Sequence, residues 1–483
     1  MNKLISPILA VLTLAVITTS CSTNTNLSSA NKSTELPKNI IMVVADGMGP
    51  AFPTAYRYYH DDPMTPAVEH TIFDDIYVGS SSTYPSSKGY ISDSLTSGAA
   101  LAGGDKTPLL FVTDSAASAT ALASGIKTYN GAIGVDSNQQ AHLTVLEWAK
   151  IKGKKTGLAV TSQIVHATPA SYLAKNESRR NYNAIADDFF DLRVDGQFKA
   201  DVMLGGGNKY FKRDDRDLVA EFQQSGFQYI DRYEQLETLD KDKPVLGLFA
   251  DVALTPQIDS KQPNRLKTLT TAAIKQLEND KGFFLLLEAS QVDWGAHSND
   301  IAYAMGEMDD LAATMTMLKS YVDANPDTLV ILTADHNTGG FSIGSEGKYE
   351  WRPNFIRNIK TSPEKLASLY ANGKTTAAQI EQQLGFILSK SELQHFNTIK
   401  MMEKQNAKSK SYTAKQETKE LTKAVYKHIL DIINSKSHSG WTTKGHTGVD
   451  VPVYAFGLGK EAFYGFSDNT EIAYKVFHLL GKD

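Results

Sequence analysis

The run Asn39–Ala45, with the sequence NIIMVVA, is followed at once by Asp46-Gly47-Met48-Gly49 and decides the fold. A short apolar run bounded by turn residues predicts a strand buried on both faces, as strands of parallel sheets are. Similar runs recur at Thr156–Val160, Asp201–Leu204, Val245–Phe249, Phe283–Leu287, Thr328–Thr333 and Val451–Phe456. Helical patterns lie between them at Ala117–Ser124, Leu143–Lys150, Leu266–Asn279 and Ile301–Val322. This alternation predicts an α/β fold with a mostly parallel central sheet, flanked by helices on both faces.

The stretch 346–439 interrupts this alternation. It is rich in Lys, Gln, Glu and Ser, and its pattern is mostly helical, as in Ala414–Ile432. We therefore expect a helical or irregular insertion, a cap- or crown-like subdomain that either shades the site or contacts another subunit. The catalytic domain would then consist of residues 37–345 and 440–483.

The N-terminus has the features of an export signal. Lys3 precedes the apolar run Leu4–Ile17, which at roughly 14 residues is short for a membrane span. Cys21, the only cysteine, stands where a bacterial lipoprotein signal places its acylated residue; ordinary signal cleavage is the alternative. We predict a signal peptide over 1–21, a flexible Ser/Thr/Asn-rich tether over 22–36, and an exported protein that is periplasmic or a membrane-anchored lipoprotein.

Composition and charge exclude one class of partner. The chain has 483 residues, 41% of them hydrophobic, which suits a large globular core. Its formal net charge is −5, and its Lys and Arg residues form no block beyond isolated pairs such as Arg179-Arg180. A nucleic-acid partner is therefore not expected.

Polar residues follow several of the predicted strands, where catalytic groups of open α/β sheets gather. These residues are Asp46, Asp114 and Ser115 after a predicted strand Leu109–Thr113, Glu288, and Asp335 with His336. His446 precedes the strand at Val451–Phe456. Any one acid could simply cap a strand, but capping does not explain all of these coincidences together.

Asp293 and His297 are four residues apart, so a helical turn places both side chains on one face. A carboxylate and an imidazole at that spacing can share one tetrahedral zinc ion. The alternative is a helix-capping Asp with an exposed His. Because Asp335, His336 and His446 also occur in such motifs, metal binding is the better interpretation.

Ser115 is the candidate nucleophile, in the string Val112-Thr-Asp-Ser-Ala-Ala-Ser-Ala-Thr-Ala121. The small residues after it predict a helix whose N-terminal N–H groups favour an incoming anion. The alternative is a serine that merely caps this helix. No His lies near it in sequence, so its activation requires a metal or a histidine that approaches in the fold.

Several strings together resemble the alkaline phosphatase family. They are Asp46-Gly-Met-Gly, the string around Ser115, Gly125-Ile-Lys-Thr-Tyr-Asn-Gly-Ala-Ile-Gly134, Ala167-Thr-Pro-Ala170, Thr333-Ala-Asp-His336 and Gly445-His-Thr-Gly448. The ordered matches extend from about residue 39 to 457, whereas 346–439 lacks distinctive strings. The resemblance implies hydrolysis of small phosphate monoesters through a phosphoserine intermediate, and a homodimer.

The resemblance also implies two zinc ions and one magnesium ion. The implied ligands of the first zinc are Asp293, His297 and His446. Those of the second zinc are Asp46, Asp335 and His336, joined by the Ser115 oxygen. Those of magnesium are Asp46, Thr168 and Glu288, with His166 binding directly or through water.

The remaining roles are implied by the same similarity. Arg179 matches the arginine that grips the substrate phosphate, with Arg180 as its rival. Asp114 would orient that arginine, and Trp294 would line the substrate pocket. A related diesterase or sulfatase, and a non-catalytic phosphate- or metal-binding protein, are the alternatives.

Overall fold

The computed structural model describes residues 35–86 and 111–482; the predicted signal 1–21, Cys21 and nearly all of the tether lie outside them. Residues from Leu36 onward form one compact unit. Its strands are β1 (Asn39–Ala45), β2 (Tyr77–Ser82), β3 (Lys155–Gln163), β4 (Arg193–Val194), β5 (Gln197–Phe198), β6 (Val202–Gly206), β7 (Gln228–Ile230), β8 (Val245–Leu248), β9 (Phe283–Ala289), β10 (Thr328–Thr333), β11 (Asn337–Thr338), β12 (Ser342–Ile343), β13 (Ser439–Gly440), β14 (His446–Thr447), β15 (Val451–Gly457) and β16 (Gly465–Asp468).

Helices occupy most of the connections between these strands. They are α1 (Ala51–His60), α2 (Ile72–Ile76), α3 (Ser115–Ser124), α4 (Val145–Ile151), α5 (Ala167–Leu173), α6 (Tyr182–Asp191), α7 (Asn208–Phe211), α8 (Leu218–Gln224), α9 (Arg265–Leu277), α10 (Gln291–Ser298), α11 (Ile301–Ala324), α12 (Asn354–Arg357), α13 (Pro363–Ala371), α14 (Ala377–Leu384), α15 (Lys390–Ser409), α16 (Ala414–Ser437) and α17 (Asn469–Leu479). Short 3₁₀ turns lie at Tyr233–Thr238, Gln257–Asp259 and Lys460–Phe463. Within the described ranges, none of these helices combines the length and apolar character needed to cross a membrane.

The main sheet has the strand order β16-β2-β15-β10-β1-β9-β3-β6-β8-β7. β15 runs antiparallel to both of its neighbours, and the other pairs are parallel. The side chains of β1 alternate between two cores. Ile41 and Val43 pack with the helices α9 and α11, whereas Ile40 and Met42 pack with α3, α4 and α17. The predicted α/β fold with helices on both faces is confirmed.

The register of the central strands brings three acids to one edge. Val44 of β1 pairs with Glu288 of β9 on one side and with Thr333 of β10 on the other. Asp46 and Asp335 each come two residues later, just beyond the ends of their strands. Because neighbouring strands are about 4.8 Å apart, these carboxylates are forced together. The sequence predicted that Glu288 follows its strand. In the structure Glu288 lies within β9 instead.

The predicted strand Leu109–Thr113 is wrong where it can be tested. Residues 109 and 110 lie outside the described ranges, and residues 111–113 form no strand. Phe111 and Val112 are exposed at 66% and 41%. The Val112 carbonyl accepts from the Asn130 side chain at 3.1 Å instead of from a neighbouring strand. Ser115 is therefore delivered by a loop that enters α3.

The stretch 346–439 contains the helices α12 to α16. Val425, Ile429 and Ile433 of α16 are buried with Leu366 of α13 and Phe396 of α15. These side chains belong to the same apolar cluster that covers one face of the main sheet. The helices of this stretch are thus packed onto the fold around a shared core.

Candidate active site

Three groups of potential metal ligands lie at the carboxyl edge of the sheet. In each group the ligand atoms lie within 4.8 Å of one another. The first group is Asp293, His297 and His446; the second is Asp46, Asp335 and His336; the third is Asp46, His166 and Glu288. The first two groups contain the acids and histidines that the resemblance implies for the two zinc ions. The third contains Asp46, Glu288 and His166 of the implied magnesium set, so Asp46 is shared by two groups.

The first group has the spacing of a tetrahedral site. The Nε2 atoms of His297 and His446 are 3.1 Å apart, and they lie 3.3 and 3.7 Å from the Asp293 carboxylate oxygens. Ligands bound tetrahedrally at zinc distances are separated by about 3.3 Å. His446 Nδ1 donates to the Thr113 carbonyl at 2.8 Å, and His297 Nδ1 donates to the Lys444 carbonyl. These bonds leave both Nε2 atoms free to face a metal.

The second group is fully buried around His336. His336 Nε2 is 3.2 Å from Asp335 Oδ2 and 3.5 Å from Asp46 Oδ1. Asp335 Oδ1 accepts from the backbone N–H groups of Gly47 and His336 at 3.1 and 3.0 Å. This bonding fixes the carboxylate and directs its second oxygen into the group.

The third group centres on Glu288. Burial raises the pKa of Glu288, while the hydroxyls of Ser290, Thr168 and Ser162 favour its charged form. The Ser162 hydroxyl donates to Glu288 Oε2 at 2.9 Å. His166 lies in this group, with its Nε2 3.2 Å from Arg179 Nη2. Burial also lowers the pKa of His166 to about 3, so the imidazole is neutral at physiological pH.

The chemistry of these donors fits divalent cations. Within the described ranges, both oxygens of Asp46, Asp335 Oδ2 and His166 Nδ1 are buried without a hydrogen bond. Buried polar atoms are rarely left unpaired, because desolvation costs free energy. Burial and the neighbouring acids raise the pKa of Asp46 well above its usual value and that of Asp335 to about 8. Cations among these oxygens would supply the missing partners and remove the repulsion.

Ser115 is the first residue of α3 and only 2% exposed. Its Oγ lies 3.1 Å from His336 Nε2, beside the second group. Asp114 is the N-cap of this helix, where its carboxylate accepts from the Ala117 N–H at 3.0 Å. The serine hydroxyl therefore meets the metal ligands at the positive end of a helix.

Arg179 and Arg180 have different surroundings. Arg179 Nη1 donates to Asp114 Oδ2 at 2.9 Å. Burial opposes the charge of Arg179, but the Asp114 carboxylate outweighs it and raises the arginine's pKa. Arg180 is exposed. The Trp294 ring lies edge-on to the ring of His166, with a centroid distance of 5.9 Å.

Sequence reasoning missed the residues that hold the ligands in place. Thr338 contacts two of the groups, because its hydroxyl donates to Asp293 Oδ1 and lies 3.2 Å from His336 Nδ1. Ser162 and Ser290 fix Glu288 in the same manner. Isolated hydroxyl residues carry no spacing signal, so only the folded arrangement identifies them.

An α/β sheet with such ligand groups at its carboxyl edge is typical of a metal-dependent hydrolase. The family model for alkaline phosphatase matches residues 37–481. Alkaline phosphatase 3 of Bacillus subtilis is 44% identical over 451 residues, which cover 92% of this chain and 89% of that protein. The chain belongs to the alkaline phosphatase family and is a phosphoric monoester hydrolase.

Solved structures agree with this assignment. A cold-active alkaline phosphatase from a psychrophilic Shewanella species is 43% identical, with a TM-score of 0.78, and the match covers 92% of this chain and 99% of that one. The alkaline phosphatase of the Antarctic bacterium TAB5 is 25% identical, with a TM-score of 0.63 and coverage of 93% and 99%. A histidine-to-aspartate variant of the TAB5 enzyme is described with Mg bound in its M3 site.

Proposed function

We propose that this phosphomonoesterase transfers the phosphoryl group of its substrate to Ser115 and then to water. The position of the Ser115 hydroxyl carries the proposal, because it lies 3.1 Å from His336 Nε2 at the start of α3. In the first step the Ser115 hydroxyl gives up its proton and its Oγ forms a bond to phosphorus. The bond from phosphorus to the ester oxygen breaks, and that oxygen takes up a proton and leaves as the alcohol. Water then attacks the phosphoserine, which releases inorganic phosphate and restores the serine.

Arg179 is the residue that we assign to the substrate phosphate. Its guanidinium can donate to two phosphoryl oxygens at once, and Asp114 holds it in position. The first backbone N–H groups of α3 add positive potential for the same dianion. Trp294, beside His166, would form one wall of the substrate pocket.

Two zinc ions and one magnesium ion are the cations that we assign to the three ligand groups. Asp293, His297 and His446 would hold the first zinc; Asp46, Asp335, His336 and the Ser115 oxygen would hold the second. Asp46, Thr168, Glu288 and His166 would hold magnesium, which prefers the oxygen donors that dominate this group. Such ions supply Lewis acidity and lower the pKa of bound hydroxyl groups and water.

A panel of nitrophenyl compounds tests the substrate class. We expect turnover of nitrophenyl phosphate to exceed that of the bis-ester and of the sulfate, because Arg179 and α3 favour a dianion. Preference for the bis-ester or the sulfate would instead assign the site to a diesterase or a sulfatase. Metal content of the same preparation, measured by atomic emission, tests the ion assignment independently.

Export and homodimer formation complete the proposal. The sequence 1–21 supports export to the periplasm, with Cys21 as the lipid attachment point. Tyr77 of β2 and Phe466 of β16, on the two neighbouring strands at one end of the sheet, are exposed at 56% and 64%, which suits a covered apolar surface. Mass spectrometry of the mature N-terminus and sedimentation analysis test these two points; an unmodified Cys21 or a monomer would contradict them.

A further inference from the structure

A cleft of about 530 Å³ opens beside the first ligand group. His297 lines it, and the side chain of this residue is 39% exposed, whereas that of Asp293, four residues earlier, is 5% exposed. The cleft thus meets the ligand group on its accessible side. We name it the lysine cleft after Lys423, Lys427 and Lys444, which line it.

The charge of the lysine cleft is opposite to that of the whole protein. Lys423, Lys427 and Asp431 follow one another at four-residue intervals on one face of α16. Lys427 Nζ lies 2.6 Å from Asp431 Oδ2, and Asp431 is the one carboxylate among the lining residues. Lys444, just ahead of β14, also lines the cleft. Lys423 Nζ in turn lies 2.9 Å from Glu420 Oε1 on the same helix. Three ammonium groups against these two carboxylates leave an excess of one positive charge in a protein of net charge −5.

The lysine-bearing helix is fixed to the catalytic unit. Tyr426 donates to Asp300 Oδ2 at 3.0 Å, and the Asn434 side chain donates to the Asn299 carbonyl at 3.0 Å. The Lys444 carbonyl accepts from His297 Nδ1. Both α16 and the backbone at Lys444 are therefore held by bonds to residues at or just beyond the end of α10, so the cleft keeps its position relative to the site.

Geometry places the lysine cleft on the alcohol side of the reaction. Ser115 lies next to His336, whose ring stacks on that of His446 at 3.5 Å. His446 in turn contacts His297, which lines the cleft. Because attack on phosphorus is in line, the leaving oxygen points away from Ser115 and toward the first ligand group. The remainder of the alcohol is then directed toward His297, which lines the cleft.

We propose that the lysine cleft binds a second phosphoryl group carried by the leaving alcohol, so that small bisphosphorylated compounds are preferred substrates. This inference rests on the proposed function, because it takes Ser115 as the attacking group. A distal dianion is the ligand that several ammonium groups recognise best, and Lys binds phosphate as a point charge.

Two esters test the proposal: butyl phosphate, and butyl phosphate bearing a phosphonate at the far end of its chain. The phosphonate is a dianion that the enzyme cannot remove, so each ester offers one scissile group. We expect a higher kcat/KM for the phosphonate-bearing ester at low salt. Replacing Lys423→Ala or Lys427→Ala should lower this preference by about two- to fivefold each, as for exposed ion pairs. The preference should also fall as added salt shortens the Debye length.

Lys404→Ala is the matched control, because Lys404 is an exposed lysine of α15 outside the cleft lining. Equal kcat/KM for the two esters would overturn the proposal. A preference for the phosphonate-bearing ester that the cleft variants change no more than Lys404→Ala does would also overturn it. Failure of the proposed function would look different, because the Ser115→Ala variant would then still hydrolyse butyl phosphate. Calorimetry measures the affinity for butane bisphosphonate at equilibrium. We expect the Lys423→Ala/Lys427→Ala variant to bind this compound more weakly than wild type does.

Discussion

Asp114 accepts from Arg179 Nη1 at 2.9 Å through one carboxylate oxygen, while its other oxygen caps the helix that begins with Ser115. The capping oxygen also accepts from the Gly131 N–H at 3.1 Å, and the Gly131 carbonyl accepts from the Arg179 N–H at 2.8 Å. One acid thus fixes the proposed nucleophile and the proposed phosphate-binding arginine relative to each other.

Arg179→Lys should lower kcat/KM for nitrophenyl phosphate by about 10- to 100-fold, because lysine cannot make the bidentate contact. Steady-state kinetics measures the effect. Arg180→Lys is the matched control and should have little effect, since Arg180 is exposed. A larger loss in the Arg180 variant would reverse the assignment of the two arginines.

Chelation should lower the melting temperature, and the loss should grow with pH. In the metal-free protein, burial and nearby acids raise the pKa of Asp335 to about 8 from its usual 3.8. A raised folded pKa means that stability is retained below about pH 4 and is lost as the pH rises toward 8. Thermal unfolding with and without EDTA across this range measures the effect. A melting temperature that chelation leaves unchanged at pH 8 would argue against metal at the buried acids.

His166→Asp should raise magnesium affinity at the third ligand group. Aspartate replaces a nitrogen donor by hard oxygen donors and adds negative charge beside Asp46 and Glu288. Magnesium titration of the metal-stripped protein, followed by calorimetry, gives the dissociation constants. Trp294→Phe, which changes the ring edge-on to His166 without adding a ligand, serves as the control. Weaker binding in the aspartate variant would remove His166 from the magnesium site.

Asp300→Asn should flatten the pH dependence of stability between about pH 4 and 6. Burial raises the pKa of Asp300 from 3.8 to about 6, although bonds from the Tyr303 N–H and the Tyr426 hydroxyl favour its charged form. The protonated Asp300 carboxyl therefore contributes to the stability of the folded protein below about pH 4. This contribution, up to about 3 kcal/mol, is lost as the pH rises through 6. Denaturant unfolding of wild type and variant measures the difference. Parallel pH profiles would show that Asp300 does not titrate in this window.

The sequence predicted the site residues that carry a spacing or a strand-end signal. Asp46 and Asp335 follow buried strands, and the four-residue interval between Asp293 and His297 indicated a shared helical face, which α10 provides. The same logic failed at Phe111 and Val112, because an apolar run forms a strand only where a neighbouring strand can pair with it. The approach of Ser115 to His336, distant in sequence, depends on tertiary packing and could not be derived from local pattern.

Phosphate transfer to Ser115 tests the central claim most directly. Brief incubation of the metal-loaded protein with nitrophenyl phosphate, acid quenching and peptide mass spectrometry should locate a phosphate on Ser115. The Ser115→Ala variant should keep its metal content, carry no phosphopeptide and lose turnover by about a thousandfold or more. A Ser115→Ala variant that retains both its metals and wild-type turnover would contradict the account.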